Sequence, residues 1–287
     1  MLKGILATLL FAVTALAGPA AAQGASPTLT KIKAAKVINV AYSPDSPPFS
    51  SAVAGAEPAG YSIELCQRVV TLIGRAIGEP ALRVNWIAGS VAERLKMVAS
   101  GRAELECANT TQTLARLATV DFSNLIFVDG GGLLVKAGAP INRIADLDGK
   151  RVAVLKGTTT RTRLDDALEM RQIKATIVPI DDAAEGLAML ESGRVDAYAG
   201  DKVKLTSLAR MASEPQRMAL VIEDLSYEPY ALALPRNDSG MRLEVNKALT
   251  VVYVSGEIEQ IYAHWLGKLG TPSAVLATMF LLNSIPD

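Results

Sequence analysis

The sequence predicts an α/β protein with two similar lobes and a cleft between them. Strand-like runs alternate with helical ones, a helix-turn-strand unit occurs twice, and 50% of the 287 residues are hydrophobic. That composition is typical of a globular chain with a sizeable core. Alternating strands and helices favour a sheet covered by helices.

Individual elements can be placed from their apolar spacing and their end signals. Strands are predicted at 37–42, 82–87, 103–107, 133–136 and 151–155. Helices are predicted at 61–78, 90–100 and 163–170. The second helix has clear limits, because Ser90 and Glu93 form a capping box and Gly101 suits the position after its end.

The repeated unit covers 91–109 and 183–201, which align without gaps at an offset of 92 residues and share Ser-Gly-Arg. Each copy is a helix, a turn and a strand, and each ends on a polar residue, Asn109 or Asp201. In open α/β sheets ligands bind beyond the carboxyl ends of strands, so two facing copies predict a cleft lined by these two residues. Chance similarity is the alternative.

The glycine run 130–132 separates the two copies and precedes a strand. It permits the chain to cross between lobes. A phosphate-binding loop is the alternative, but such a loop precedes a helix and is followed by a lysine, and neither holds here.

Residues 1–22 are typical of a secretory signal peptide, with Lys3 at the start, an apolar stretch at 5–16 and alanines at 20–22. A membrane anchor is the alternative, although the stretch is shorter than the roughly 20 residues needed to span a bilayer. We therefore expect export to the periplasm.

Export favours a disulfide between the two cysteines. Cys66 lies on the apolar face of the helix at 61–78, and Cys107 alternates with Glu104 and Glu106 in a strand, which predicts that Cys107 faces inward. A bridge between them would stabilise the fold by about 4 kcal/mol. Two unpaired buried thiols are the alternative.

Composition excludes several functions. Lys plus Arg and Asp plus Glu both total 29, and no dense basic run occurs, so nucleic acid is not an expected partner. One histidine, His264, and two cysteines are too few for a Cys/His zinc site. We expect no metal and no cofactor, and we assign His264 no functional role.

Polar residues follow several of the predicted strands. Thr158 and Thr159 open a helix, where hydroxyls and free N–H groups form an anion site. Thr111 and Arg116 follow the strand at 103–107, and a guanidinium binds a carboxylate bidentately. With Asp201 for an ammonium, this set fits a free amino acid. The alternatives are an ordinary threonine cap, a surface arginine and a solvated acid.

A set of short motifs, in order, resembles the polar amino-acid-binding proteins of ABC transporters, within solute-binding family 3. The glutamate/aspartate-binding branch is the most similar. The motifs are Ser46-Pro47-Pro48-Phe49, Gly60-Tyr61-Ser62, Ser100-Gly101-Arg102, Thr110-Thr111-Gln112-Thr113 to Arg116, Asp121-Phe122-Ser123, Gly157-Thr158-Thr159, Gly193-Arg194-Val195-Asp196-Ala197 and Trp265.

The resemblance implies a two-lobe periplasmic binding protein type II fold. Lobe 1 would comprise 28–128 plus 228–287, and lobe 2 would comprise 129–227. Family position implies that Arg116, Thr111 and Thr159 hold the ligand α-carboxylate and that Asp201 holds the α-ammonium. Further implied ligand-binding residues are Asn109, Thr158 and Arg94.

One position departs from the pattern. Where the acidic-ligand branch has an arginine after its first strand, this chain has Ser43. The loss of that cation predicts weak discrimination between glutamate and glutamine. Arg94 could still neutralise a side-chain carboxylate, whereas Ser43, Asp45 and Ser46 would favour a neutral or larger polar side chain.

The resemblance implies a monomeric periplasmic protein that captures a polar amino acid, glutamate, aspartate or their amides, and delivers it to a membrane ABC permease. We do not expect an enzyme. The alternative is a periplasmic dehydratase-type enzyme acting on a cyclic carboxylic acid, for which Asp45 and Glu228 are conceivable proton-transfer groups. A sensor module is a third class and would need an attached membrane or signalling domain.

Overall fold

The computed structural model describes residues 26–286, and the predicted signal peptide at 1–22 lies outside them. Its strands are β1 (Val37–Tyr42), β2 (Asp45–Ser46), β3 (Ser50–Ser51), β4 (Arg83–Ala88), β5 (Leu105–Cys107), β6 (Asp121–Lys136), β7 (Arg151–Leu155), β8 (Thr176–Ile180), β9 (Ala197–Asp201), β10 (Met218–Leu220) and β11 (Ser226–Leu234).

The helices cover both faces of the larger of the two sheets, while β2 and β3 form a separate two-stranded sheet. The helices are α1 (Pro27–Ala35), α2 (Tyr61–Ala76), α3 (Val91–Ala99), α4 (Leu114–Leu117), α5 (Thr159–Met170), α6 (Ala183–Glu191), α7 (Lys202–Met211), α8 (Ser239–Val254), α9 (Glu257–Leu266) and α10 (Ala274–Leu282). Short 3-10 helices lie at Ile144–Leu147, Pro215–Arg217 and Gly267–Leu269. Among residues 26–286, no helix is both long enough and apolar enough to cross a membrane.

Most of the strands belong to one sheet with the order β4-β1-β5-β11-β6-β9-β7-β8, and β10 also pairs with β6. β1 is parallel to β4 and β5, and β7 is parallel to β8 and β9. The antiparallel pair β6 and β11 lies between these two groups. The predicted two-lobe α/β fold is confirmed: lobe 1 contains β4, β1 and β5, and lobe 2 contains β9, β7 and β8.

β6 begins at Asp121, twelve residues before the predicted strand, because it belongs to both lobes. It pairs with β11 as far as Gly131, and from Gly131 onward it pairs with β9. A Cβ at Gly131 would collide with the Ser226 side chain, and one at Gly132 would collide with the Lys202 side chain. The glycine run therefore allows close packing where β6 passes between the lobes.

Each lobe has its own hydrophobic core. In lobe 1, apolar residues of β1 and β11 pack against α2, α8, α9 and α10. In lobe 2, Val152 and Val154 contribute to a cluster on one face of the sheet, while Ala153 contributes to a cluster on the other face. Strands that are buried on both faces are typical of parallel sheets covered by helices.

Both copies of the repeat have the predicted helix-turn-strand structure, α3 with β5 and α6 with β9. The Ser-Gly-Arg turns need a left-handed residue, which Gly101 supplies with φ of 71° and Gly193 with φ of 73°. Each copy also has an acidic residue, just before its strand, that accepts a backbone hydrogen bond from a neighbouring strand. Glu104 accepts a hydrogen bond from the Asn39 N–H at 2.7 Å, and Asp196 accepts one from the Arg151 N–H at 2.8 Å.

The alternation in β5 would place Glu104 and Glu106 on an outer face, but both are buried. This part of the interpretation is wrong because β5 lies between β1 and β11 and is covered on both faces. Glu104 is paired with Lys31, and Glu106 is paired with Arg94. Paired carboxylates can occupy such positions, whereas unpaired ones rarely do.

The disulfide between Cys66 and Cys107 is confirmed. It joins α2 to β5 with a Cα–Cα distance of 6.2 Å across a sequence separation of 41 residues. The bridge lies entirely within lobe 1.

Candidate functional site

A cleft lies between the lobes at the ends of β5 and β9, and its lining contains six of the eight side chains that the sequence predicted for ligand binding. They are Asn109, Thr111, Arg116, Thr158, Thr159 and Asp201. The carboxyl ends of strands from both lobes therefore meet at one site, as expected for an open α/β sheet.

Asp201 and Asn109, the last residues of the two repeat copies, contact each other across this cleft. Asn109 Nδ2 donates to Asp201 Oδ2 at 2.8 Å, and the Thr160 hydroxyl donates to Asp201 Oδ1 at 3.2 Å. Burial raises the pKa of Asp201, and the nearby Glu228 carboxylate adds to this effect. An ammonium group placed here would offset that cost by supplying a positive charge.

Arg116 approaches the cleft from lobe 1. It lies on the short helix α4, whose N-cap Thr113 accepts a hydrogen bond from the Arg116 N–H at 3.1 Å. Its Nη1 donates to the Thr111 carbonyl at 2.7 Å, and its Nη2 reaches the Gly157 carbonyl of lobe 2 at 3.5 Å. Burial lowers the pKa of Arg116, while Glu106 and Glu228 act in the opposite direction. The guanidinium is thus held at the junction of the lobes.

Thr111 and Thr159 converge on Glu228, a residue of β11. The Glu228 Oε2 atom accepts hydrogen bonds from Thr111 Oγ1 at 2.5 Å and from Thr159 Oγ1 at 2.7 Å. The two hydroxyl oxygens lie 3.3 Å apart. Hydroxyls from opposite lobes therefore meet at one carboxylate of the protein itself, that of Glu228.

Thr158 is the N-cap of α5. Its hydroxyl accepts a hydrogen bond from the Arg161 N–H at 3.3 Å and donates to the Leu155 carbonyl at 2.8 Å. The residue both starts the helix and lines the cleft.

Arg94 and Ser43, the other two predicted residues, lie together in an adjoining cavity. Arg94 is only 2% exposed, and its guanidinium is satisfied within lobe 1. Its Nε donates to Glu106 Oε1 at 2.8 Å and its Nη1 donates to the Gly89 carbonyl at 2.8 Å, while Nη2 lies 3.4 Å from Thr110 Oγ1.

Ser43 is buried in a cluster of hydroxyls. Its Oγ donates to Asp45 Oδ1 at 2.9 Å and lies 2.8 Å from Ser46 Oγ, and its N–H donates to Ser50 Oγ at 3.1 Å. Ser46 in turn lines the main cleft. Ser43 is thus connected to the cleft through Ser46.

The cleft lining also contains Ser46, Thr160 and Lys204, and of these three the sequence analysis missed Lys204. Thr160 completes the run Thr158-Thr159-Thr160 of the predicted anion site, and Ser46 was among the residues expected to favour a neutral or larger polar side chain. Lys204 lies one helical turn after Asp201, which was the only available signal for it.

No group of three or more His, Cys, Asp or Glu residues suited to a metal ion occurs in the part of the chain that the structure describes. His264 lies on α9, far along the chain from the cleft residues, and its Nδ1 is 3.1 Å from Glu64 Oε2. The same carboxylate oxygen accepts a hydrogen bond from Trp265 Nε1 at 2.6 Å.

The sequence pattern of the bacterial extracellular solute-binding proteins, family 3, matches residues 38–268. The chain belongs to this family. The membership predicted from the short motifs is therefore confirmed. The match includes every predicted ligand-binding residue and both cysteines.

Two relatives extend this result over most of the chain. The L-glutamate/L-aspartate-binding protein of Pseudomonas aeruginosa is 33% identical over 253 residues, which cover 87% of this chain and 83% of that protein. The glutamate/aspartate import solute-binding protein of Escherichia coli K12 is 30% identical over 263 residues, covering 90% and 87%. The similarity to the glutamate/aspartate branch is therefore also confirmed.

Among solved structures, an ancestral arginine-binding protein bound to glutamine superimposes with a TM-score of 0.72. It is 26% identical, and the superposition covers 81% of this chain and 98% of that one. This agreement confirms the predicted fold class.

Proposed function

We propose that this protein captures a polar amino acid between its lobes in the periplasm and delivers it, as a monomer, to an ABC permease. The observation that carries the proposal is that Arg116 of lobe 1 and Asp201 of lobe 2 line one cleft with opposite charges. A zwitterionic amino acid has the matching pair of charges. Family membership and the names of the two relatives support the same function.

In this proposal Arg116, Thr111 and Thr159 hold the ligand α-carboxylate, and Asp201 holds the α-ammonium. Asn109 and Thr158 add hydrogen bonds. Charge-assisted bonds of this kind are about twice as strong as neutral ones. Arg94 and Ser43 act from the adjoining cavity, where the charge of Arg94 is balanced by Glu106.

We place the lobe boundaries at 28–128 plus 228–287 for lobe 1 and 129–227 for lobe 2. Several contacts cross that division. Asn109 donates to Asp201, and the Ala183 N–H donates to Asp45 Oδ2 at 3.2 Å. A ligand bound by both lobes would stabilise this closed arrangement, and only its higher affinity for the closed state would drive closure.

The dehydratase alternative receives less support. It requires a proton-transfer group free to reach a substrate. Glu228 accepts hydrogen bonds on both carboxylate oxygens, from Thr111 and Thr159 on one and from Ser226 on the other. Both Asp45 oxygens also accept hydrogen bonds, from Ser43 and from Ala183. The family match and the names of the two relatives favour transport over this enzyme.

A thermal-shift screen of the purified protein against the standard amino acids and small cyclic carboxylates tests the proposal. A ligand present at 100 times its Kd stabilises the folded state by about 2.7 kcal/mol, which is a readily measured shift. We expect stabilisation by one or more polar amino acids. Stabilisation only by a cyclic carboxylate, with product formation on incubation, would replace this proposal with the enzyme alternative.

A further inference from the structure

Lys204 is a buried cation in the cleft that the proposed ligand contacts do not use. It comes from α7 of lobe 2 and lines the same cleft as Asp201 and Arg116. Only 6% of the residue is exposed. Within residues 26–286 its Nζ forms one hydrogen bond, to Ser46 Oγ at 3.2 Å, and lies within 4.0 Å of no carboxylate oxygen.

This situation differs from that of the two arginines nearby. Arg94 is paired with Glu106 at 2.8 Å, and Arg116 donates to backbone carbonyls. An ammonium has three donors, and Lys204 uses one of them. Because a buried charge without a partner is costly, such a group is best explained by a partner that arrives from outside the chain.

Lys204 is also linked through Ser46 to the hydroxyl cluster around Ser43. Its partner Ser46 is 2.8 Å from the hydroxyl of Ser43, which lines the adjoining cavity together with Arg94. Lys204 therefore brings a positive charge from lobe 2 to the part of the cleft that adjoins this cavity.

Asp45, whose charge acts on Lys204, does not pair with it directly. Asp45 Oδ1 accepts the Ser43 hydroxyl at 2.9 Å, and Asp45 Oδ2 accepts the Ala183 N–H at 3.2 Å. Burial lowers the pKa of Lys204, and the charges of Asp45 and Asp201 oppose that shift. An anionic group on the ligand would act in the same direction as these two acids.

We infer that Lys204 binds the side-chain carboxylate of the ligand and makes the protein selective for a dicarboxylic amino acid over its amide. The inference rests on the proposed function and specifies its ligand class. It also replaces the weak discrimination expected from Ser43 alone, since Lys204 supplies a cation in the cleft lining.

Calorimetric titration of the full chain with glutamate, aspartate and glutamine tests this inference in three proteins: wild type, Lys204→Met and Lys202→Met. Methionine keeps most of the length of lysine and removes the charge. We expect Lys204→Met to weaken glutamate or aspartate binding about ten- to a hundredfold, because one charge-assisted contact is lost. Glutamine binding should change less than threefold. Lys202 is the matched control, because it pairs with Asp224 and donates to the Ile222 carbonyl, outside the cleft lining.

Thermal melting of the same variants separates ligand recognition from structural support. Removing a buried, unpaired charge should leave the Tm of Lys204→Met unchanged or higher. A lower Tm with equal losses for glutamate and glutamine would assign Lys204 a structural role and overturn the inference. Unchanged glutamate affinity, or a wild-type preference for neutral amino acids, would also overturn it while leaving the proposed function intact. Failure of the wild type to bind any amino acid would reject the proposed function itself.

Discussion

The two copies of the helix-turn-strand unit have the same backbone but distribute charge differently. At equivalent positions, lobe 1 has Arg94 and Glu106 as a buried ion pair, whereas lobe 2 has Gly186 packed closely against Tyr198. One copy is therefore held by a polar contact and the other by close apolar packing. Lobe 2 instead places its buried cation, Lys204, in the cleft.

This difference separates charged side chains that are paired within the protein from those that are free to pair with a ligand. The charge of Arg94 is neutralised within its own lobe by Glu106. Lys204 has no ion-pair partner within 4.0 Å in the described part of the chain. A charge without an internal partner is the better candidate for ligand recognition.

The copies differ in covalent support as well. Cys107 of lobe 1 is bonded to Cys66, while the equivalent residue of lobe 2 is Ala199. Lobe 1 thus has both a buried ion pair and a disulfide in the same copy.

The largest effect on folding is expected from breaking the buried ion pair. Glu106→Ala should lower the free energy of unfolding by about 3–5 kcal/mol, because it leaves the Arg94 charge buried without its partner. Urea denaturation followed by circular dichroism measures this. Asp165→Ala in lobe 2 is the control, since the Arg161–Asp165 pair is exposed and should contribute less than about 1 kcal/mol. If both variants change the free energy of unfolding equally little, the buried ion pair does not stabilise the lobe 1 copy more than an exposed pair would.

Removal of the disulfide should have a comparable or slightly smaller effect. Replacing both Cys66 and Cys107 by alanine releases a loop of 41 residues, and the chain-entropy model gives a loss of about 4 kcal/mol. Denaturation of this double variant should match that of the reduced wild type. Intact-mass analysis after alkylation should find no free thiol in the exported, unreduced protein, and two modified thiols would contradict the prediction.

The copy in lobe 2 should tolerate a larger side chain at Gly186 poorly. A Cβ at Gly186 would lie 2.5 Å from Ile180 Cδ1 and 2.8 Å from Tyr198 Cε1, so Gly186→Ala should destabilise the protein by about 1–3 kcal/mol. In Gly267→Ala, the matched control, the new methyl would have only Ala263 Cβ near it, at 3.9 Å. Equal stability of the two variants would show that α6 can move away from the sheet.

A pH-dependent effect is expected from Asp129, which lies on β6 between the two lobes. Burial, with a smaller contribution from Asp201, raises the pKa of Asp129 to about 7. An ordinary aspartate has a pKa near 3.9, so between about pH 4 and 7 the folded state holds a proton that the unfolded state has lost. This residue therefore makes stability fall as pH rises through that range, by less than the roughly 1.4 kcal/mol per pH unit of one complete proton.

Denaturation at pH 4.5 and 7.5 checks this sign. Relative to wild type, Asp129→Asn should lose less stability as pH increases, because the amide does not ionise. A wild type and variant with parallel pH profiles would mean that Asp129 is ionised throughout.

The features that the sequence predicted best depend on short-range patterns. The capping box of Ser90 and Glu93, the glycine turns and the inward position of Cys107 are all determined by neighbours a few residues away. The repeat then relates Asn109 to Asp201, and these two residues are in direct contact in the structure.

The features that were missed depend on contacts between distant parts of the chain. Glu228 meets Thr111 across a separation of 117 residues, and Lys204 meets Ser46 across 158. No local sequence pattern predicts contacts between residues so far apart in the chain. The burial of Glu106 was also missed, because an alternating strand shows which residues share a face but not whether a helix covers the other face.

The central claim is that Arg116 and Asp201, from opposite lobes, hold the two charges of one amino acid. Calorimetric titration of wild type, Arg116→Ala and Asp201→Ala with the amino acid that stabilises the wild type most is the most direct test. Each substitution should weaken binding by about 2–5 kcal/mol, at least about thirtyfold in Kd, while circular dichroism shows intact folding. Wild-type affinity in either variant would contradict the claim.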